Sequence, residues 1–317
     1  MARRHKKIKD LLGKYRRRSV QKVRKLKFEG IGGLDVYNVT APFRVKQTQF
    51  ILGRAEERNI ETGTRVMFFR RQRHSRKWHV DPSCPVFDLQ DPFIFEFEKL
   101  IVLGGVEIQQ KSNKRGLSYR TVFFKGADIH NLRKFAVGPW GMKGVRFVLL
   151  PNKKIGVFTR PQGKRGRRGK IGFVILDSLK KLTPRTLSRA QILGGQFARG
   201  EWGGVDEIHF LKNGKLGVLG HIACFTRDKK RWYYPMTFVF DYEKRKFSGM
   251  KIIARRSEIP KGETKRGDLY NVLYPGGIIR NGDGKGIAKL YVGVSDAEAY
   301  EITLKDPFLE YEAEKKV

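Results

Sequence analysis

The sequence predicts an all-β protein, and three observations carry that prediction. The run Leu149-Leu150-Pro151-Asn152-Lys153-Lys154-Ile155-Gly156-Val157-Phe158-Thr159-Arg160 is echoed by Phe210-Leu211-Lys212-Asn213-Gly214-Lys215-Leu216-Gly217-Val218-Leu219-Gly220-His221. Each reads as a strand, a tight Asn/Gly turn and a second strand that closes on a polar residue. Such units recur about every 50 to 70 residues, a spacing that suits propeller blades. The 35 glycines fit a chain with many turns. The expected architecture is a five-bladed β-propeller (29–317) with a short basic N-terminal arm (1–28). An irregular β-sandwich is the alternative.

Taken in order, residues 1–28 hold Ile8, Leu11, Leu12 and Tyr15 at a spacing that suits one short amphipathic helix. A helix of that length is marginal alone. The first strand unit is expected at 36–39, 50–56 and 65–69. The second is expected at 91–97, 100–108 and 119–125, and the third at 145–150, 155–160 and 171–176. A connection with helical pieces at 178–182 and 186–192 follows. The fourth unit is expected at 207–211, 216–225, 232–241 and 251–255, and the fifth at 271–274, 277–280, 288–294 and 298–304. Tyr37-Asn38-Val39 recurs as Tyr270-Asn271-Val272, a weak hint that the two ends meet.

The net charge is +36, from 67 Lys and Arg against 31 Asp and Glu. An excess of that size points to an anionic substrate or a polyanionic partner, unless it is only a solvated basic surface. The first 30 residues carry 13 Lys and Arg against Asp10 and Glu29, and a dense knot lies at 164–170. The arm is therefore expected to meet an anionic partner such as RNA, a phosphorylated glycan or a membrane surface. Two cysteines, Cys84 and Cys224, give no disulfide framework, and a reducing cytoplasm is the simplest expected compartment. No apolar run approaches the roughly 20 residues that span a bilayer, and the basic start lacks the apolar stretch of a secretory signal. No metal or cofactor is expected: His74, His79 and Cys84 lack zinc spacing, His209 and His221 read as hydrogen-bonding histidines, and phosphate-loop and dinucleotide motifs are missing.

Polar residues recur at matching strand ends, which a propeller gathers at its axis. Asp91, just before Pro92-Phe93, is the best general acid. Pro fixes the local direction, and Leu89, Phe93 and Phe95 are expected to raise its pKa. Lys143, Arg146, Arg160 and His221 are expected to cradle a phosphate. Asn38, Arg54, Glu56 and Asp296 sit at comparable strand ends, and Glu201, Trp202, Glu207 and His209 combine carboxylates with an aromatic face that suits a sugar. Glu201 or Glu207 is also the expected base if water, not phosphate, is the nucleophile. A turn cap or a packed core residue is the plain alternative for any one of them.

Several of these motifs together resemble a known family: Leu89-Gln90-Asp91-Pro92-Phe93, Gly104-Gly105-Val106-Glu107-Ile108, Gly141-Met142-Lys143 with Val145-Arg146, Gly156-Val157-Phe158-Thr159-Arg160-Pro161-Gln162-Gly163, Glu201-Trp202-Gly203-Gly204, Leu219-Gly220-His221-Ile222-Ala223 and Ser295-Asp296-Ala297-Glu298-Ala299. The resemblance is to a domain family long of unknown function that includes the mannosyltransferase–phosphorylases of the MTP type and is related to the mannoside phosphorylases of glycoside hydrolase family 130. It covers roughly 30–308. It implies a five-bladed propeller and an inverting reaction on β-mannosides. In that reaction Asp91 donates a proton through a sugar hydroxyl, and phosphate attacks from the opposite face. It further implies phosphate contacts from Lys143, Arg160 and His221, and sugar contacts from Arg54 and Asp296. Inorganic phosphate or a sugar phosphate would be a substrate. The chain departs from the pattern at Gly144, where the family has an acidic residue.

Overall fold

The computed structural model describes residues 8–15, 20–60, 62–72, 75–110, 116–280 and 286–313. Strands dominate, and among the described residues they form four hydrogen-bonded sheets. The first has six strands: Lys27–Glu29, Lys77–Val80, Arg65–Arg71, Thr48–Glu56 and Asp35–Tyr37 in order, with Phe43–Val45 also on Thr48–Glu56. The second orders Arg133–Val137, Leu117–Gly126, Leu100–Gln110 and Gln90–Phe97. The third orders Arg146–Leu149, Ile155–Thr159, Gly172–Leu176 and Gln191–Ile192. The last has nine strands and runs from Val20–Lys25 through Glu298–Lys305, Ile287–Val294, Asn271–Arg280, Arg231–Asp241 and Leu216–Phe225 to Glu201–Phe210. Among the described residues, strand pairing joins its two halves only through a short parallel contact, Trp232 with Asn271 and Tyr233 with Val272.

The echoed hairpins fold alike. Leu150 and Leu211 each donate a backbone hydrogen bond, 2.8 Å long, to Lys154 and Lys215 respectively. In both turns an Asn side chain, Asn152 or Asn213, accepts from the backbone two residues on, the usual way Asn stabilises a turn. The hydrophobic strand faces then pack sheet against sheet. Phe50, Leu52 and Phe68 meet Leu103 and Val122; Phe93 and Phe123 meet Phe147 and Val157; Phe158 and Phe173 meet Val218, Phe238 and Phe240. Leu219 and Val239 pack on Leu290 and Ile302, and Tyr291 and Ala299 return to Val36, Ile51 and Phe69. The end of the chain thus closes on its beginning. At that seam a Cβ on Gly293 would lie 2.0 Å from Asn38 Oδ1, so only glycine allows the approach.

The described part of the expected arm does not stand apart. Ile8 and Leu11 of the helix Ile8–Lys14 are buried against Tyr234, Met236 and Phe238, and the Ile8 amide donates to Glu201 Oε1 at 2.7 Å. Val20–Lys25 pairs with Glu298–Lys305, Lys27–Glu29 pairs with Lys77–Val80, and Leu26 is buried. The basic residues misled the sequence reading because they point outward: Arg24 forks onto Glu301 at 3.0 Å through both carboxylate oxygens, while Val20 and Val23 face the core. Residues 1–7 and 16–19 lie outside the described residues, as do His74 and its neighbour Arg73. The segments 271–274 and 277–280 form one strand with a bulge between Pro275 and Gly277. Helical pieces do occur on the connection, at Leu179–Lys181 and Pro184–Ser188. No helix among the described residues is long and apolar enough to cross a membrane.

Candidate active site

Strand ends from every sheet converge on one cavity of about 160 Å³, roughly ten water-sized positions. Asn38, Arg54, Gln90, Asp91, Lys143, Gly144, Arg160, His221, Arg231, Tyr233, Tyr274 and Asp296 line it. Residues separated by more than 200 positions therefore share one wall. Backbone strain gathers here too: Asn38, Asp91, Ser295 and Asp296 all have positive φ, between 46° and 55°. Non-glycine residues seldom hold that conformation, and it concentrates at functional sites.

Asp91 sits at a bulge between Gln90 and Phe93. Its Oδ1 accepts 2.8 Å from Asn38 Nδ2 and lies 3.4 Å from Arg54 Nη1. Burial pushes the Asp91 carboxyl up, but Arg54, Lys143 and the Asn38 hydrogen bond outweigh it and hold the pKa at about 2. This reverses the expectation built on Leu89, Phe93 and Phe95. Asp296 is the carboxyl whose pKa is raised: burial and the charge of Asp91 outweigh the pull of Arg54. Arg54 is fixed from behind by Glu56, which accepts from its Nε at 3.2 Å and its Nη2 at 2.9 Å. Glu56 is 1 % exposed and also accepts from Tyr37, Thr64 and Lys265. It therefore orients Arg54 and does not line the cavity.

Across the cavity the charges change. Arg160 is buried and donates through Nε to the Gly203 carbonyl at 2.7 Å; no carboxylate pairs with it among the described residues. A Cβ on Gly204 would lie 2.7 Å from the Arg160 side chain, so the glycine leaves room for the guanidinium stem. Gly144 also borders it, at 3.4 Å, with φ +68°. An acidic side chain, which the resemblance leads one to expect at this position, would border Arg160; with glycine there the cation is left uncompensated. Lys143 likewise has no ion pair among the described residues. It faces the Tyr119 ring at 5.6 Å, and burial lowers its pKa against the opposing pull of Asp91. His221 donates through Nδ1 to Asp206 Oδ2 at 2.7 Å and stacks on Tyr233.

The remaining candidates lie elsewhere. Arg146 is buried beneath the cavity, donating to the carbonyls of Asp206 at 2.8 Å and Val145 at 3.0 Å. Glu201 accepts from the backbone of Ile8 and Ala198. Trp202 is buried against Phe225 and Tyr233, and its Nε1 donates to the Tyr233 hydroxyl at 3.0 Å; it buttresses the wall and presents no face to a sugar. Glu207 accepts from the Ile278 amide, and His209 pairs with Glu207 at 3.3 Å, far along the strand from His221. The cause is a bulge between Val205 and Glu207, which turns Asp206 inward and places Glu207 and His209 away from the cavity. Asp206, a polar strand-end residue left out of the candidate site, thus supports the cavity from behind His221; Tyr233, Tyr274 and Arg231 also line the cavity, and nothing in the sequence reading singled them out. No metal-binding cluster of His, Cys, Asp and Glu occurs among the described residues.

Comparison with known structures finds the same scaffold in enzymes. The chain is similar to MPT-4, a mannose phosphorylase from Leishmania mexicana solved with a phosphate ion: 31% identity, TM-score 0.85, covering 95% of this chain and 92% of that one. It is similar to MPT-1, a GDP-Man-dependent mannosyltransferase from the same organism, at 26% identity and TM-score 0.85, covering 95% of each chain. A β-1,2-mannobiose phosphorylase from Listeria innocua shares the fold at 12% identity and TM-score 0.63, over 93% of this chain and 94% of that one. These structural relatives are enzymes. Residues 14–310 match the family described as protein of unknown function (DUF1861), and the chain belongs to it. No curated protein matches the chain.

Proposed function

We propose that this protein is a β-mannoside phosphorylase or mannosyltransferase, built as a five-bladed propeller. Cutting the nine-stranded sheet at its two-residue parallel contact leaves five units, antiparallel except where Lys27–Glu29 joins Lys77–Val80 in parallel, and their packing supports a closed ring. One observation carries the functional reading: Lys143 and Arg160 line a recessed cavity without a carboxylate partner among the described residues, facing Asp91. Recessed cations without partners are costly, and an anion relieves that cost. Phosphate suits the pair, with Arg160 as a fork and Lys143 as a point charge.

In phosphorolysis, phosphate attacks the anomeric carbon, the glycosidic C–O bond breaks, and the leaving oxygen takes a proton from Asp91, passed through a sugar hydroxyl. In the empty cavity Asp91 is ionised at neutral pH. Phosphate on Lys143 and Arg160 offsets the cations that hold its pKa down, so nucleophile and proton load together. The reverse direction transfers mannose from a sugar phosphate. The raised pKa of Asp296 favours a second assignment, in which Asp296 holds the proton and Asp91 stays an anion beside the developing positive charge. Hydrolysis through Glu201 or Glu207 has no geometric support, since neither lines the cavity.

The test is a panel of mannosides with phosphate, read as mannose 1-phosphate. Substrates with a leaving group that needs no proton separate the two acids: they restore turnover in the variant that lacks the proton donor and not in the other. A panel that yields neither mannose 1-phosphate nor reverse transfer would leave an inactive sugar-binding propeller.

A further inference from the structure

His221 and Asp206 are the most completely built pair in the cavity. The imidazole Nδ1 lies 2.7 Å from Asp206 Oδ2, with the side chains 4% and 1% exposed. Asp206 cannot drift: it occupies the bulge of its strand, and Arg146 Nε holds its carbonyl at 2.8 Å. The ring cannot rotate: Tyr233 stacks on it at 5.4 Å and 20°, and Tyr274 packs against it at 5.2 Å. Nε2 has no hydrogen-bond partner among the described residues, and His221 lines the cavity.

An ionised carboxylate only accepts hydrogen bonds. Asp206 therefore requires the proton on Nδ1, which in a neutral imidazole leaves Nε2 as a bare acceptor. The groups facing the ring favour the neutral form. Burial lowers the His221 pKa, Arg160 and Lys143 lower it further, and together they outweigh the opposing pull of Asp206. Tyr233 and Tyr274 face it as neutral phenols, since burial raises the pKa of both.

We propose that the Asp206–His221 pair makes this cavity selective for anions that carry a proton, so that it takes phosphate and rejects sulfate. The idea rests on the phosphate reading above and sharpens it. The cations Lys143 and Arg160 attract either anion and by charge alone favour sulfate, which is fully dianionic at neutral pH. Phosphate keeps at least one P–O–H, and that hydroxyl donates to Nε2. Sulfate has no proton, so it sets an oxygen lone pair against the Nε2 lone pair and leaves a buried acceptor unmet. An unmet buried acceptor costs enough to give a preference on the order of 10- to 100-fold. Asp206 acts here as a positioning residue: it does not touch the anion but decides which nitrogen carries the proton.

The experiment is titration calorimetry of the full chain with phosphate, arsenate and sulfate at neutral pH. The expected result is that phosphate and arsenate, which also keeps a proton, bind at least about tenfold more tightly than sulfate. In Asp206→Asn the amide can donate to Nδ1, the proton moves to Nε2, and the preference collapses or inverts in favour of sulfate. Equal binding of phosphate and sulfate by the wild type, or unchanged selectivity in Asp206→Asn, overturns the proposal. If Asp206→Asn does not fold, nitrogen NMR of ¹⁵N-histidine-labelled wild type decides, with His221→Asn assigning the signal. A neutral ring protonated at Nδ1 supports the proposal, and one protonated at Nε2 overturns it. That reading needs no anion, so it stands apart from the phosphate assignment: a protein that binds neither anion but shows the Nδ1 tautomer defeats the phosphate reading, and with it the selectivity, while leaving the tautomer lock in place.

Discussion

Two sets of recessed charges in this protein are treated in opposite ways. Away from the cavity, recessed charges are paired: Lys265 with Glu56, and Arg280 with both Asp306 and Glu312. Around the cavity, Lys143 and Arg160 have no carboxylate partner among the described residues, and Arg160 is bordered by Gly144. Paired recessed charges fix which segments meet; unpaired ones store a demand for a ligand. Variants on the two sides should therefore fail in different ways.

The largest effect is expected from the paired side. A chain beginning at Glu29 loses an edge strand of the nine-stranded sheet and the buried side chains of Ile8, Leu11 and Leu26. At about 1.5–3 kcal/mol each, those three alone approach the total stability of an ordinary domain. Thermal and urea unfolding should show collapse or a fall of several kcal/mol; unchanged melting would mean that the N-terminal pairing is idle. Next comes the cavity: Asp91→Asn should cost on the order of 100-fold or more in turnover if Asp91 is the acid, with only a small change in melting temperature. Near-normal turnover with Asp91→Asn, together with loss in Asp296→Asn, would move the acid to Asp296.

The smallest effects are in the pH dependence of stability. The folded Asp91 pKa of about 2 lies below the ordinary aspartate value of 3.8. Its contribution is present above that value and is lost as pH falls from about 4 to 2. Asp296 has the opposite sign. Its raised pKa means that ionisation penalises the folded state, so the penalty is absent below 3.8 and accrues as pH rises past it. Asp296→Asn should therefore melt slightly higher than wild type at neutral pH, and the gap should close on acidification below 3.8. A gap that widens in acid would contradict the environment assigned to Asp296.

Local pattern revealed more of this protein than long-range pairing did. The echoed turns at 149–160 and 210–221 were legible because an Asn turn is made by neighbours in sequence. Asp91, Lys143, Arg160 and His221 were legible as polar strand ends, and the fold brings them together. The helix Ile8–Lys14 was legible from the spacing of Ile8, Leu11, Leu12 and Tyr15, but its docking and the strands that follow it were hidden because their partners lie near residues 201, 234 and 299. Glu207 and His209 were misplaced, and Asp206 undervalued, because one bulge at Val205–Glu207 reverses which side chains face inward, and a bulge leaves no mark on an alternating pattern. Trp202 resembled a sugar platform, yet its indole holds Tyr233.

Arg160→Met, melted with and without phosphate, tests the central claim most directly. The variant keeps much of the side-chain volume and removes the unpaired charge. Without phosphate it should melt no lower than wild type. With phosphate at about 100 times its dissociation constant, the wild type should gain about 2.7 kcal/mol and the variant little or nothing. A wild type indifferent to phosphate, with Arg160→Met destabilised by several kcal/mol in its absence, would show that Arg160 is a structural charge and contradict the account.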